Sequence, residues 1–293
     1  MDSSKRVRRS SAPRSVAMRR RPVAAGRIRS TPAPERAVQQ WSTAGDPVLA
    51  VTTSGEVEPA EVTRAVRAIG RVLRRHRLDA TTRVRVTAPA RPGDPTLVQA
   101  NLCLRDLPTR VQVTGPRGFA VTFAAERLDR RLARAASGEA RAWPDPARPP
   151  LTAVTAVRPI VRSKQCLLLD GTAAEAAAVL DAMDYEAYLF VDAETGEDAV
   201  VHWVDGVGAG LIRQRSTRPA PSPMTGPLSV GALPVRTSAE PAPVLTRAAA
   251  AHRLCRAGLP FLFFTDTATG RGALLYRRYD GDLTLVTPAA AAG

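Results

Sequence analysis

The sequence has little of what catalytic and metal-binding proteins depend on. Its 293 residues include three cysteines, three histidines and 4% aromatic residues. Cys103, Cys166 and Cys255 lie far apart and show neither CxxC nor Cys/His spacing, which argues against a disulfide framework and a structural zinc site. The motifs GxSxG and HExxH and the P-loop are also missing. The sequence therefore gives no reason to expect an enzyme, and we expect no cofactor and no metal.

Long apolar runs and lysines are scarce as well. No segment approaches the roughly 20 apolar residues of a membrane-spanning helix, so we predict a soluble protein of the reducing cytoplasm without a membrane partner. Lys5 and Lys164 are the only lysines among 42 basic residues, so the other 40 are arginines. A guanidinium group can form two parallel hydrogen bonds with one phosphate, which suits arginine to contact with nucleic acid.

Positive charge is concentrated in the front half of the chain. Residues 1–36 hold 11 basic and 2 acidic residues, residues 37–136 hold 16 and 9, and residues 137–293 hold 15 and 16. This asymmetry predicts a nucleic acid or another polyanion as the partner of the front half, and protein contacts for the back half.

Residues 1–42 consist mainly of Arg, Ser, Pro and Ala, with too few large apolar residues to offset the entropy of ordering a chain. We predict a disordered basic tail. A solvated tail, an auxiliary RNA-binding arm and a targeting segment are the alternatives, although no apolar segment follows either arginine cluster.

Residues 43–137 change hydrophobic period in the order β-α-β-β-β-α. Val62, Val66 and Ile69 recur at helical spacing, and Phe119, Phe123, Leu128, Leu132 and Ala135 define the apolar positions of a second helix. The strands between them alternate, as in Arg83–Val86. We predict an α+β fold with a four-stranded sheet that carries both helices on one face.

The back half contains an internal repeat, which follows a proline-rich linker at 138–160. A shift of 74 places aligns residues 169–214 with 243–288 without gaps, and brings Asp192 onto Asp266. Each copy is predicted to be a small domain with one helix and three strands, at 161–214 and 243–290, with a second linker at 215–242. A unit of fewer than about 60 residues is marginal alone, so the copies should pair with like units.

Arginines lie off the apolar faces of both predicted helices, where they would form one basic plate. A solvated helix face usually mixes charge signs, whereas Glu126 and Asp129 are the only acids interspersed with these arginines. We predict phosphate binding to RNA. Because the strands carry no Phe, Tyr or Trp for base stacking, we expect recognition of backbone and shape in structured RNA. The candidate RNA-binding residues are Arg64, Arg67, Arg71, Arg74, Arg75, Arg127, Arg130, Arg131 and Arg134.

Several motifs resemble one family. Residues 160–164, 172–182 and 188–196 look like the C-terminal domain of long ribosome hibernation-promoting factors, also known as ribosome-associated inhibitors or sigma-54 modulation proteins. Residues 275–281 resemble that family's tyrosine-diarginine-aspartate-glycine turn, and residues 127–132 its basic-Leu-acid-basic-x-Leu signature. Two tandem C-terminal copies are similar to an actinobacterial subgroup linked to dormancy.

The resemblance implies a function in translation. In that family the front domain occupies the mRNA and tRNA channel of the small ribosomal subunit and blocks initiation without turnover. It implies the small subunit, its rRNA and the assembled ribosome as partners. Where the motifs match, it points to Arg127, Arg130 and Arg134 on the second helix and to Arg71 and Arg74 on the first.

The two copies are expected to pair within one chain. The linker of about 28 residues spans on the order of 30 Å, which gives a near-millimolar effective concentration that exceeds that of ribosomes. We therefore predict a monomer that stabilises single ribosomes, with a homodimer as the alternative. The predicted pairing surface comprises Tyr188, Phe190, His202, Trp203, Leu262, Phe264, Tyr276, Arg277, Arg278 and Tyr279.

Two other functions remain open at this stage. One is an RNA- or DNA-binding stress regulator that acts away from the ribosome. The other is a protein-interaction scaffold, in which the repeats bind a partner and the front charge is incidental.

Overall fold

The computed structural model describes residues 28–30, 38–42, 49–89, 91, 93–137, 156–204, 208–219 and 235–289, the first two segments as backbone only. The front strands are β1 (Ile28–Ser30), β2 (Val38–Ser42), β3 (Leu49–Ser54), β4 (Thr82–Thr87), β5 (Thr96–Leu104) and β6 (Leu107–Gly115). The front helices are α1 (Pro59–Arg75) and α2 (Ala120–Ser137).

The back half is built from shorter elements. Its helices are α3 (Ala173–Ala182) and α4 (Arg247–Arg256). Its strands are β7 (Ile160–Cys166), β8 (Asp170–Gly171), β9 (Ala187–Asp192), β10 (Glu197–Val204), β11 (Gly208–Arg213), β12 (Val235–Thr237), β13 (Val244–Leu245), β14 (Phe261–Asp266), β15 (Gly272–Arg277) and β16 (Leu283–Pro288).

The front domain confirms the predicted β-α-β-β-β-α order. Its sheet has the strand order β2-β3-β4-β5-β6. In β4 the buried Val84 and Val86 alternate with the exposed Arg83 and Arg85, because successive side chains of a strand point to opposite faces. The buried face packs against both helices, where Ile69 and Leu128 are fully buried. Both helices therefore cover one face of the sheet.

The structure departs from the predicted disordered tail at two short segments. β2 pairs antiparallel with β3 and adds a fifth strand at the edge of the predicted four. β1 pairs antiparallel with β7 in the back half. Backbone pairing at an open sheet edge needs few apolar side chains. The amino-acid composition of residues 1–42 therefore did not indicate β1 and β2. The remainder of the predicted tail lies outside the described residues.

The two repeats have matching elements, as the shift of 74 predicts. Each has one helix beneath three antiparallel strands, α3 with β9-β10-β11 and α4 with β14-β15-β16. Thr172 and Thr246 occupy equivalent positions, and each accepts a hydrogen bond from a backbone N–H in the first turn of its helix. Equivalent local interactions thus begin the helix in both copies.

The repeats exchange the strands that precede them. β7 comes directly before the first repeat but lies parallel to β16 of the second repeat. β12 comes before the second repeat but lies parallel to β11 of the first. Residues 160–166 therefore belong to the sheet of the second repeat, and residues 235–237 of the predicted linker belong to the first. This reciprocal pairing resembles a strand-swapped dimer formed within one chain.

Candidate RNA-binding face and repeat interface

The repeats meet through a shared apolar cluster that we call the repeat interface. It contains both members of five pairs related by the shift of 74, so it has approximate two-fold symmetry. The pairs are Leu168 with Ala242, Ala187 with Phe261, Leu189 with Phe263, Val200 with Leu274, and Ile212 with Val286. Together with the exchanged strands, this cluster makes the two repeats one folded unit.

The prediction of the pairing surface is wrong for several residues, because they lie on the strand face that packs in each repeat's own core. Phe190 and Trp203 pack in the first repeat's own core beneath α3. Leu262 and Phe264 do the same beneath α4 in the second repeat. Tyr188 packs against the first core and stacks on Tyr185, with ring centroids 6.2 Å apart. The repeat interface instead uses the residues that alternate with these.

Two residues of the predicted pairing surface, His202 and Tyr276, do contact the other repeat or an exchanged strand. The His202 ring is 5.2 Å from the Phe261 ring of the other repeat, and burial lowers the pKa of this histidine. The Tyr276 hydroxyl accepts a hydrogen bond of 2.8 Å from Lys164 Nζ on β7.

The tyrosine-diarginine turn makes local contacts instead. Arg277 is buried within the second repeat, where it follows the apolar Leu275 at strand spacing. Arg278 forms a salt bridge with Asp280 and lies over the Tyr279 ring. The two arginines of this turn therefore lie within the second repeat and do not contact the first repeat in the part of the chain that the structure describes.

One contact makes the repeat interface asymmetric. Asp198, only 2% exposed, accepts hydrogen bonds of 2.7 and 2.8 Å from the Arg271 guanidinium and one of 2.7 Å from the backbone N–H of Gly272. Gly272 occupies in the second repeat the position that Asp198 occupies in the first. A Cβ atom on Gly272 would lie 2.6 Å from the Asp198 Cβ. A pair of two first repeats would place Asp198 against Asp198, so this contact favours pairing between unlike repeats.

The outer sides of α1 and α2 carry the predicted basic plate. Arg67, Arg71 and Arg74 are exposed, and within the described part of the chain their guanidinium groups have no hydrogen-bond or ion-pair partner. The same holds for Arg130 and for the half-buried Arg134 on α2. These five arginines are free to contact phosphates.

The other candidates on the plate have partners. Arg64 donates a hydrogen bond of 2.6 Å to the Gly118 carbonyl. Arg75 forms a salt bridge with Asp129, and a hydrogen bond from His76, reinforced by Arg75, lowers the pKa of Asp129. The Arg75 side chain remains 71% exposed, so this ion pair does not remove it from the surface.

A shallow groove runs along α1 on this plate. Its volume is about 360 Å³, and its lining includes three of the arginines. The lining residues are Ala60, Thr63, Arg64, Arg67 and Arg71. A groove lined by guanidinium groups suits a phosphate backbone.

The prediction placed Arg127 and Arg131 on the RNA-binding surface, but both contact the first repeat instead. Arg127 is buried, with Nε and Nη2 at 3.1 and 2.7 Å from the two carboxylate oxygens of Asp184 in the first repeat. Arg131 donates to the backbone carbonyl of Asp181 over 2.8 Å. In this structure both residues therefore bind the chain's own repeat, and neither is available to RNA.

Two aromatic residues on the plate were assigned to the wrong environment. The helical period places Phe119 and Phe123 among the apolar residues of α2, but they are 59% and 41% exposed. Their rings stack with centroids 6.3 Å apart, next to the Gly118 carbonyl bound by Arg64. An exposed aromatic pair beside a guanidinium can stack on an unpaired base. The signal that could have identified them is their position at the very start of α2, since Phe119 precedes the helix and Phe123 lies in its first turn.

The described residues contain neither a candidate metal site nor a candidate membrane-spanning helix. No three His, Cys, Asp or Glu side chains among them come together in a way that could hold a metal ion. Within the same residues no helix is long and apolar enough to cross a membrane.

Comparison with known proteins identifies the family. Residues 156–211 match the model of the sigma 54 modulation/S30EA ribosomal protein C terminus. The chain is 43% identical over 243 residues to proteins named "Dormancy associated translation inhibitor" from two strains of Mycobacterium tuberculosis, CDC 1551/Oshkosh and H37Rv. The matched region covers 83% of this chain and 89% of each relative. With that extent of similarity, and with the repeats built as described, the chain belongs to the family of long ribosome hibernation-promoting factors.

Proposed function

We propose that this chain is a ribosome hibernation factor that inhibits translation by occupying the mRNA and tRNA channel of the small ribosomal subunit. The observation that carries the proposal is the row of exposed arginines on α1, Arg67, Arg71 and Arg74, with Arg130 on the neighbouring helix, whose guanidinium groups have no partner among the described residues. The name of the Mycobacterium tuberculosis relatives supports translation as the process that is inhibited.

The geometry favours binding to folded rRNA. One face of the front sheet is covered by α1 and α2, so the arginines of the basic plate stand on two helices that are packed on one core. Guanidinium groups spaced by a folded surface suit phosphates whose positions are fixed by RNA structure. Inhibition then follows from occupancy alone, and no chemical step is required.

The order of addition tests this occupancy mechanism in a cell-free translation reaction. Purified protein added to small subunits before mRNA and initiator tRNA should inhibit translation strongly, because the channel is empty. The same amount added after initiation complexes have formed should inhibit the first round little. Equal inhibition in both orders would contradict occupancy of the channel.

The repeats support a finer proposal, that the protein stabilises single ribosomes. A repeat surface that is already covered by the second repeat of the same chain cannot pair with another chain. The buried contact between Asp198 and Gly272 opposes pairing of two first repeats. Each bound protein therefore leaves its ribosome unpaired.

Sucrose-gradient profiles of single ribosomes with and without the purified protein test this second proposal. We expect the monosome peak to persist for longer under low-magnesium conditions, with no peak of ribosome dimers. Accumulation of ribosome dimers in proportion to added protein would contradict pairing within the chain.

A further inference from the structure

The end of α3 in the first repeat, together with the turn that follows it, docks on the front domain. Asp184 binds Arg127 through both carboxylate oxygens, and its Oδ2 also accepts a hydrogen bond of 2.9 Å from the backbone N–H of Gln112. Asp181 lies against Arg131, at 2.8 Å through its carbonyl and 3.4 Å through its carboxylate. We call residues 181–185 the docking segment.

The oxygens of the docking segment accept hydrogen bonds from the arginines of α2, as the oxygens of a phosphate backbone would. The side chains of Arg127 and Asp184 are only 7% and 2% exposed, so the contact excludes water. A carboxylate that accepts two parallel bonds from one guanidinium has the geometry of an arginine–phosphate contact. Arg110 adds an aromatic contact, with its guanidinium 5.6 Å from the centre of the Tyr185 ring.

The second repeat shows that this contact is a special feature of the first. Gly258 occupies the position equivalent to Asp184, and both residues have left-handed backbone conformations, with φ of 61° and 53°. Glycine adopts that conformation without strain, whereas aspartate does so at some cost. The residue equivalent to Asp181 is Cys255, which carries no charge in the core of its repeat. The first repeat therefore carries two acids that the same fold in the second repeat lacks.

We propose that the docking segment is an internal competitor of RNA, so that the protein exists in a closed state, in which Arg127 and Arg131 of α2 are covered, and an open state that binds rRNA through the complete plate. The proposal rests on the proposed function, because that function assigns RNA to the outer face of α2. In the closed state Arg67, Arg71 and Arg74 stay exposed, and they provide the first contact. Displacement of the docking segment then adds Arg127 and Arg131 to the bound surface.

Removal of the two carboxylate charges should open the protein. In the full chain, D181N/D184N keeps the side-chain size, and asparagine tolerates the left-handed conformation. If the closed state holds about nine molecules in ten, the variant should bind small subunits about tenfold more tightly, because apparent affinity scales with the competent fraction. The radius of gyration from small-angle scattering should also rise. The matched control is D170N/E240Q, which removes two exposed carboxylates from the same half of the chain.

Heparin supplies a readout that does not depend on the ribosome. D181N/D184N should elute from a heparin column at higher salt than the control of equal net charge. The proposal is overturned if the two variants elute together, or if D181N/D184N expands the protein without any gain in affinity. If D181N/D184N binds heparin more tightly than its control but small subunits bind neither variant, internal competition for the plate stands and the ribosomal function fails.

Discussion

Gly272→Asp should destabilise the paired repeats by about 3–5 kcal/mol, the range expected for an uncompensated charge at a buried position. The new carboxylate would enter a site where Asp198 already binds Arg271, and a Cβ atom alone would lie 2.6 Å from the Asp198 Cβ. Two carboxylates in a buried site repel each other, and Arg271 already pairs with Asp198. Urea unfolding of the full chain measures the loss.

The matched control for this substitution is Ala248→Asp, which adds the same charge at an exposed position in the first turn of α4. An acid near a helix N-terminus is neutral or mildly stabilising, so the control should retain wild-type stability within about 0.5 kcal/mol. Equal stability of Gly272→Asp and the control would contradict the close approach of the two repeats at Asp198.

The hydrophobic period predicted the two helices and four of the five strands of the front domain, but not the edge strand β2, the exposure of Phe119 and Phe123, or the faces of the repeat strands. In the front sheet one face is open, so strands such as β4 alternate clearly between valine and arginine. In the repeats both faces are covered, one by the helix and the other by the second repeat. Residues 188–190 are therefore apolar throughout, and the sequence carries no alternation that could separate the core position Phe190 from the interface position Leu189.

Local sequence patterns could not predict the exchange of β7 and β12 between the repeats. Both segments look like strands that precede their own repeat. β7 pairs with β16, which lies more than a hundred residues further along the chain, and β12 pairs back with β11 of the first repeat across the linker. The covered position of Arg127 escaped prediction for the same reason, since its partner lies 57 residues away. One signal was present, because alignment of the repeats shows an aspartate where the second copy has glycine.

The arginines of α1 should account for much of the salt dependence of binding to the small subunit. Each phosphate that a basic side chain neutralises releases counterions and contributes about one unit to the slope of log affinity against log salt concentration. The variant R67Q/R71Q/R74Q should therefore reduce that slope by about two to three units and weaken binding by roughly 10- to 100-fold at moderate salt. All three side chains are exposed, so the fold should be unaffected.

The control R236Q/R253Q/R256Q removes the same charge from exposed positions on the repeats. Co-sedimentation of the wild-type chain and both variants with purified small subunits, over a series of salt concentrations, tests the central claim most directly. We expect the control to follow the wild-type slope and the α1 variant to fall below it in both affinity and slope. Equal binding by all three proteins, or an equal loss in both variants, would contradict recognition of the small subunit through the basic plate.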